Sequence, residues 1–251
     1  MKKYIIFIIL LLLSGCVSLQ QSKTFNVMPT FCHDGECFSI EKRSNLLVFN
    51  ANLPEGEHKI ETVITCIFSG NDETEKDINT QLENNKYEYR RVHNDIVTWE
   101  INDLLVQYNQ KTQKIIHFVD KAGTLTPAQI NSLKGSFKKK LGLDLPPYAS
   151  SGEIFHADFN LNLAKNYNIK MNADYYIHGE TYYNNKKYPL VEIKGEGKMR
   201  MDGSSIPVIY SGYFIIDPTM NITVKSVSDA TLKMDGTSHT MRIISTSKIV
   251  Q

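Results

Sequence analysis

His156-Ala157-Asp158 and His178-Gly179-Glu180 each set a histidine two residues from a carboxylate, and on a strand that spacing puts both side chains on one face. Were the two strands neighbours, two imidazoles and two carboxylates could gather around a metal ion or share protons. His156, Asp158, His178 and Glu180 are therefore the catalytic candidates. Two solvated strand faces would leave the same pattern, and nothing in the sequence shows that the strands meet. No phosphate loop, dinucleotide glycine fingerprint, GxSxG elbow or HExxH helix occurs. The expectation is a chain without a cofactor or a metal site, leaning away from catalysis.

Cys16 carries a different chemistry. Before it stand Lys2 and Lys3, an apolar run from Ile5 to Leu13, and the small residues Ser14 and Gly15, which together read as an export signal too short to span a bilayer. Leu13-Ser14-Gly15-Cys16 resembles the lipobox of bacterial lipoproteins. That resemblance implies cleavage before Cys16, a diacylglyceryl thioether on its sulfur and an acyl chain on its new amine. Several chains on one residue hold a protein at a membrane, where a single chain binds only reversibly. In diderm members an aspartate after the cysteine often marks inner-membrane retention. Here Val17 stands in its place, which favours the outer membrane.

Three cysteines remain after lipidation, in an exported and oxidising compartment. Within Phe31-Cys32-His33-Asp34-Gly35-Glu36-Cys37-Phe38, Asp34-Gly35 signals a two-residue hairpin turn. His33 and Glu36 would exchange backbone hydrogen bonds, so Cys32 and Cys37 fall on the next, closer pair, which suits a disulfide. The rival is a metal site of Cys32, His33, Glu36 and Cys37, but a closed zinc site draws a second Cys or His pair, and none follows at a fitting distance. Cys66, in an apolar run, reads as a small buried hydrophobe.

The elements that must position these groups read as mainly β. Runs at Leu46 to Phe49, Lys59 to Phe68, Tyr87 to Val92, Ile96 to Ile101, Leu104 to Tyr108 and Ile115 to Val119 suggest strands, with another at Phe155 to Leu163. Asp72 to Asn85 is either a thin surface helix or a loop. Thr126-Pro127-Ala128-Gln129 forms a capping box for a helix with Ile130, Leu133, Phe137 and Leu141 as its apolar stripe. Lys138, Lys139 and Lys140 suit its solvated C-terminal turn better than a lipid surface. Pro146-Pro147 breaks the chain.

From Asn172 to Val250 the pattern is antiparallel hairpins. A turn at Asp202-Gly203 sets Met199 opposite Ile206, Gly197 opposite Val208, Gly195 opposite Tyr210, Ile193 opposite Gly212 and Val191 opposite Phe214. Glycines then face larger residues, while Glu192, Lys194, Glu196, Lys198 and Arg200 line the other face. The same arithmetic at Asp235-Gly236 sets Asp229 opposite Arg242. Pro218 suits a type I turn between the two hairpins.

The fold class expected is α+β, mainly β: antiparallel meander sheets, curved or half-barrel as one option, with one or two packed helices. Residues 1–15 form the signal peptide, 16–30 a lipidated tether, 31–120 an N-terminal β-rich part, 121–150 a helix and linker, and 151–251 a C-terminal hairpin part, with 31–251 as one domain or two. Loss of Lys2 and Lys3 leaves 26 basic against 27 acidic side chains, a balance that argues against nucleic acid as a partner. Thirteen tyrosines, among them Tyr87, Tyr89, Tyr175, Tyr176, Tyr182, Tyr183, Tyr188, Tyr210 and Tyr213, should divide between core and an outward half able to stack on glycan rings or line a peptide groove.

The first functional expectation is a lipid-anchored envelope lipoprotein that, without catalysis, binds a protein or glycan partner or supports an envelope assembly. The second is a carrier of apolar ligands, its sheet curved by Gly179, Gly195, Gly197 and Gly212 in the manner of half-barrel lipoproteins. The third is a metal-dependent hydrolase at His156 and His178.

Overall fold

A computed structural model describes residues 19–48, 52–70, 72–83, 87–101, 103–112, 114–131, 134, 148–164, 167–201, 204–234 and 236–250. The predicted cleavage site, Cys16, the cationic run Lys138 to Lys140 and Pro146-Pro147 lie outside them. The dominant element is one twelve-stranded antiparallel sheet. Its strands are β1 (Leu19–Thr24), β5 (Gly56–Phe68), β6 (Tyr87–His93), β7 (Ile96–Ile101), β8 (Leu104–Asn109), β9 (Lys114–Asp120), β11 (Glu153–Ala164), β12 (Tyr167–Tyr183), β13 (Lys186–Met201), β14 (Ser204–Asp217), β15 (Ile222–Met234) and β16 (Thr237–Ile249). Their spatial order is β1-β11-β12-β13-β14-β15-β16-β5-β6-β7-β8-β9, so β1 and β9 are its edges. Two small pairs complete it: β2 (Thr30–His33) with β3 (Glu36–Ser39), and β4 (Leu46–Leu47) with β10 (Tyr148–Ala149).

Turn chemistry sets the registers. Met199, Gly197, Gly195, Ile193 and Val191 lie opposite Ile206, Val208, Tyr210, Gly212 and Phe214, and Asp229 lies opposite Arg242, the registers expected from the sequence, although Asp202, Gly203 and Asp235 themselves lie outside the described residues. Asn94-Asp95 and Asn184-Asn185 turn the chain with positive φ at both residues, a conformation that Asn and Asp tolerate. Asp217 accepts hydrogen bonds from the backbone N–H of Thr219 (2.9 Å) and Met220 (3.3 Å), which closes the turn containing Pro218.

Helix is scarcer than an α+β class implies, and among the described residues the fold is mainly β. One helix, α1 (Asp72–Glu83), settles the helix-or-loop alternative. It lies where β6, which pairs only with Gly56–Glu61, has left the edge of β5 exposed. There Asn79 accepts from Cys66 N–H and donates to Cys66 O, both at 2.7 Å, and Glu75 accepts from Phe68 N–H at 2.7 Å. These side chains take the place of a neighbouring strand, so polar bonds seat a helix whose apolar pattern is thin. The capping box is present: Gln129 accepts from Thr126 N–H at 2.8 Å, and its own N–H donates to Thr126 Oγ1 at 3.3 Å. Residues 127–131 are helical, while Leu133, Phe137 and Leu141 of the expected stripe lie outside the described residues.

Of the segment read as a tether, residues 19–24 form β1 on the sheet edge, opposite residues 153–157 of β11. Apolar clusters among the described residues anchor the rest. One joins Phe31, Phe38, Leu190, Tyr213, Ile215 and Val227 with Val27 and Ile40 of the N-terminal segment, and another joins Val92, Val97, Trp99, Leu104, Val106 and Tyr108 of the β6 to β8 meander.

Candidate functional site

The four sequence candidates do not form one centre. Strands β11 and β12 are neighbours, but their register puts Asp174, not His178, opposite His156. His178 lies four positions further along β12, about 13 Å at strand rise. His156 sits between two carboxylates, with Nδ1 2.9 Å from Asp174 and Nε2 3.3 Å from Asp158. The bond to Asp174 holds its pKa above the ordinary imidazole value despite partial burial. His178 Nε2 instead meets Glu192 at 3.0 Å, and its ring packs against Phe25 and Phe31 with centroids 5.1 and 4.7 Å away. A bulge at Gly179 shifts the register after Ile177. Glu180 turns to Arg43 at 3.0 Å, while its backbone exchanges hydrogen bonds with Glu41. Gly179 has φ 142°, and a Cβ there would stand 2.4 Å from Glu41 O, so the bulge needs glycine. Among the described residues no group of three or more His, Cys, Asp or Glu side chains could hold a metal ion.

The cysteines follow the hairpin. Cys32 and Cys37 are disulfide-bonded with Cα atoms 4.1 Å apart, Phe31 pairs with Phe38 one step out, and Asp34-Gly35 forms the turn with positive φ at both residues. Cys66 is free and buried, and burial, aided by Glu75, pushes its thiol up to about 11, so it is chemically quiet at neutral pH.

The hairpin's polar residues dock the clip onto the sheet, a function the sequence did not reveal. His33 Nε2 lies 2.9 Å from Asp229, which also receives two bonds from Arg242 at 2.7 and 3.1 Å. Arg242 reaches Asp34 as well. Glu36 accepts from Tyr213 Oη at 2.6 Å and pairs with Lys225. Burial works to raise the Asp229 carboxyl, but the bonds from Arg242 and His33 outweigh it and hold the group below its usual range. The Glu36 carboxyl is lowered in the same way, against burial, by Lys225 and Tyr213. Sequence arithmetic found the Asp229 and Arg242 pair; its partners lie some 200 positions away in the chain, beyond any local signal.

The third feature is an aromatic face on β6. Along Tyr87-Glu88-Tyr89-Arg90-Arg91-Val92 the charged Glu88 and Arg90 are buried, while Tyr87 and Tyr89 are exposed at 40% and 50%. Glu88 and Arg90 pair with each other, the guanidinium stacks on Trp99 at 4.6 Å, and Arg90 donates to Met220 O. Outside, Lys59 Nζ stands 4.3 Å from the Tyr87 ring centre and 5.6 Å from that of Tyr89. Arg91 pairs with Glu57 at 2.7 Å on the same face. Elsewhere the tyrosines divide: Tyr108, Tyr175, Tyr188, Tyr210 and Tyr213 are buried, whereas Tyr148 and Tyr182 are exposed.

No protein-family model, curated protein or solved structure matches this chain.

Proposed function

We propose that the chain is a cell-envelope lipoprotein, anchored through acyl chains on Cys16, whose mature domain binds an envelope glycan without catalysis through Tyr87, Lys59 and Tyr89. In a diderm organism Val17 favours the outer membrane. The observation that carries the binding reading is the inverted strand β6. A strand can present either set of alternate side chains to a core, and burying tyrosines is far less costly than burying a carboxylate and a guanidinium. Here the costly choice leaves two rings bridged by one ammonium on an open sheet face. Flat rings with polar tips stack on sugar faces, and Lys59, Arg91 and Glu57 supply hydrogen bonds at the rim.

The test is retention of the processed protein on isolated envelope polysaccharide. Truncated aromatic anchors typically cost about 2 kcal/mol, so Tyr89→Ala should weaken binding about thirtyfold, and Tyr87→Ala together with Tyr89→Ala should abolish it. Undiminished retention by the double variant would sink the reading.

A second reading, a carrier of apolar ligands on a sheet curved into a half-barrel, draws on the glycine rows. A Cβ at Gly195, Gly197 or Gly212 would lie 2.6, 2.2 or 2.3 Å from a backbone oxygen of the adjoining strand, the close approach expected where a sheet bends. Lipid co-purifying with the protein in native mass spectrometry is its expected mark; a ligand-free spectrum counts against it.

A further inference from the structure

The lipid anchor and the sheet edge sit very close in the chain, and that proximity constrains how the protein meets its membrane. Three peptide steps separate Cys16 from Leu19, the first residue of β1, a reach of about 11 Å at full extension. Leu19 is held opposite Ala157. From that level β11 runs seven positions further to Ala164, about 23 Å, and β12 to β16 turn at the same end. The turn end of the sheet therefore extends well past the furthest point the anchor can reach. An upright sheet would drive those strands into the bilayer, so the sheet tilts and brings one face of its turn end to the headgroups.

Charge distinguishes the faces. Lys170 and Lys198 lie opposite each other, Arg200 lies one pair nearer the turn on the same face, and Lys233 occupies the corresponding level of β15. All four are exposed, and none has an ion-pair partner among the described residues. The acids of this face nearest the patch, Asp158 and Glu196, stand one level further from the turns, beside the exposed Ile209, and Asp174, Glu192 and Asp229 follow beyond them towards the docked clip. The other face at the same level is apolar and buried, with Met171, Ile206, Val208 and Leu232.

We propose that Lys170, Lys198, Arg200 and Lys233 form a membrane-facing surface that rests on anionic phospholipid headgroups. This rests on the lipidation of Cys16 for its geometry, whereas the charge of the surface is independent of it. Basic residues at an anionic bilayer each contribute about fivefold in partitioning, and salt screens the attraction.

The experiment measures binding of the full mature chain with Cys16→Ser, so that no acyl chain contributes, to phosphatidylcholine vesicles with and without phosphatidylglycerol. Binding should require the anionic lipid and weaken with salt. Lys170→Gln with Lys198→Gln should lower it about twenty-five-fold, while Lys76→Gln with Lys114→Gln, the same loss of charge elsewhere, should lower it far less. Equal losses in the two pairs, or equal binding to neutral vesicles, would overturn the proposal. Amine acylation of the lipidated protein on anionic vesicles supplies a second readout, with Lys170, Lys198 and Lys233 protected relative to Lys76 and Lys114; uniform labelling would refute it. Failure of the anchored reading is separable, because it would appear as a bare Cys16 thiol in the mass of the processed chain.

Discussion

Glu88 and Arg90 form a buried ion pair whose partners are hard to separate. Replacing one member of such a pair strands the other charge away from water and costs about 3–5 kcal/mol, whereas replacing both with apolar residues of similar size is often neutral or better. Glu88→Ala should therefore lower the urea midpoint severely, while Glu88→Leu with Arg90→Met should restore most of it. Because Arg90 also stacks on Trp99 and donates to Met220 O, the double variant tests what those contacts add. A double variant as unstable as the single would mean that Arg90's hold on the turn after β14 outweighs the cost of its desolvation. Tyr87 and Tyr89 remain outward in either case, so glycan retention should follow the fraction folded and nothing else.

The disulfide hairpin β2 to β3 is the element most dependent on its covalent closure. It is four residues a side, too small for an independent core, yet it presents His33, Asp34 and Glu36 in fixed positions to the sheet. Closing so short a loop removes chain entropy worth about 2 kcal/mol on the loop-closure scale. Cys32→Ser with Cys37→Ser should lower stability by about that amount and open residues 30–40 to limited proteolysis while β11 to β16 stay protected. Equal protease resistance with and without the bridge would show that the polar contacts alone hold the clip. Elements of this kind were legible in the sequence because a two-residue turn fixes its register outright: Cys32 against Cys37, Gly195 against Tyr210 and Asp229 against Arg242 follow from the turn alone. Contacts between distant segments were not. The separation of His156 from His178 depends on the β11 to β12 register, which an irregularity between Asn162 and Ala164 displaces, and on the bulge at Gly179. The outward turn of Tyr87 and Tyr89 runs against the hydrophobic pattern that sequence reading relies on, and the polar bonds that tie α1 to β5 leave no periodic signal.

At the scale of the whole molecule, the N-terminal segment is fastened to the sheet through carboxylates, and that gives the fold a direction of pH sensitivity. Glu36, Asp229 and Glu192 are each held below their usual range: burial opposes ionisation, and bonds from Lys225 and Tyr213, from Arg242 and His33, and from His178 and Lys194 overcome it. A group whose folded pKa is depressed contributes stability that is complete above its unfolded value, about pH 4, and is lost as pH falls through the folded one. His156 works the other way. Its pKa is raised by Asp174, so its contribution is complete below about pH 6.5 and declines as pH rises past the folded value, and its exposure keeps it small. The carboxylates therefore govern. Urea midpoints should be level near neutrality and drop below about pH 4, with the clip released first, as increased proteolysis at residues 30–40 would report. Asp229→Asn should be less stable at pH 7 and show a shallower acid limb, because one of the depressed carboxylates that must take up a proton has been removed. Parallel acid limbs in wild type and Asp229→Asn would place the acid sensitivity elsewhere in the fold.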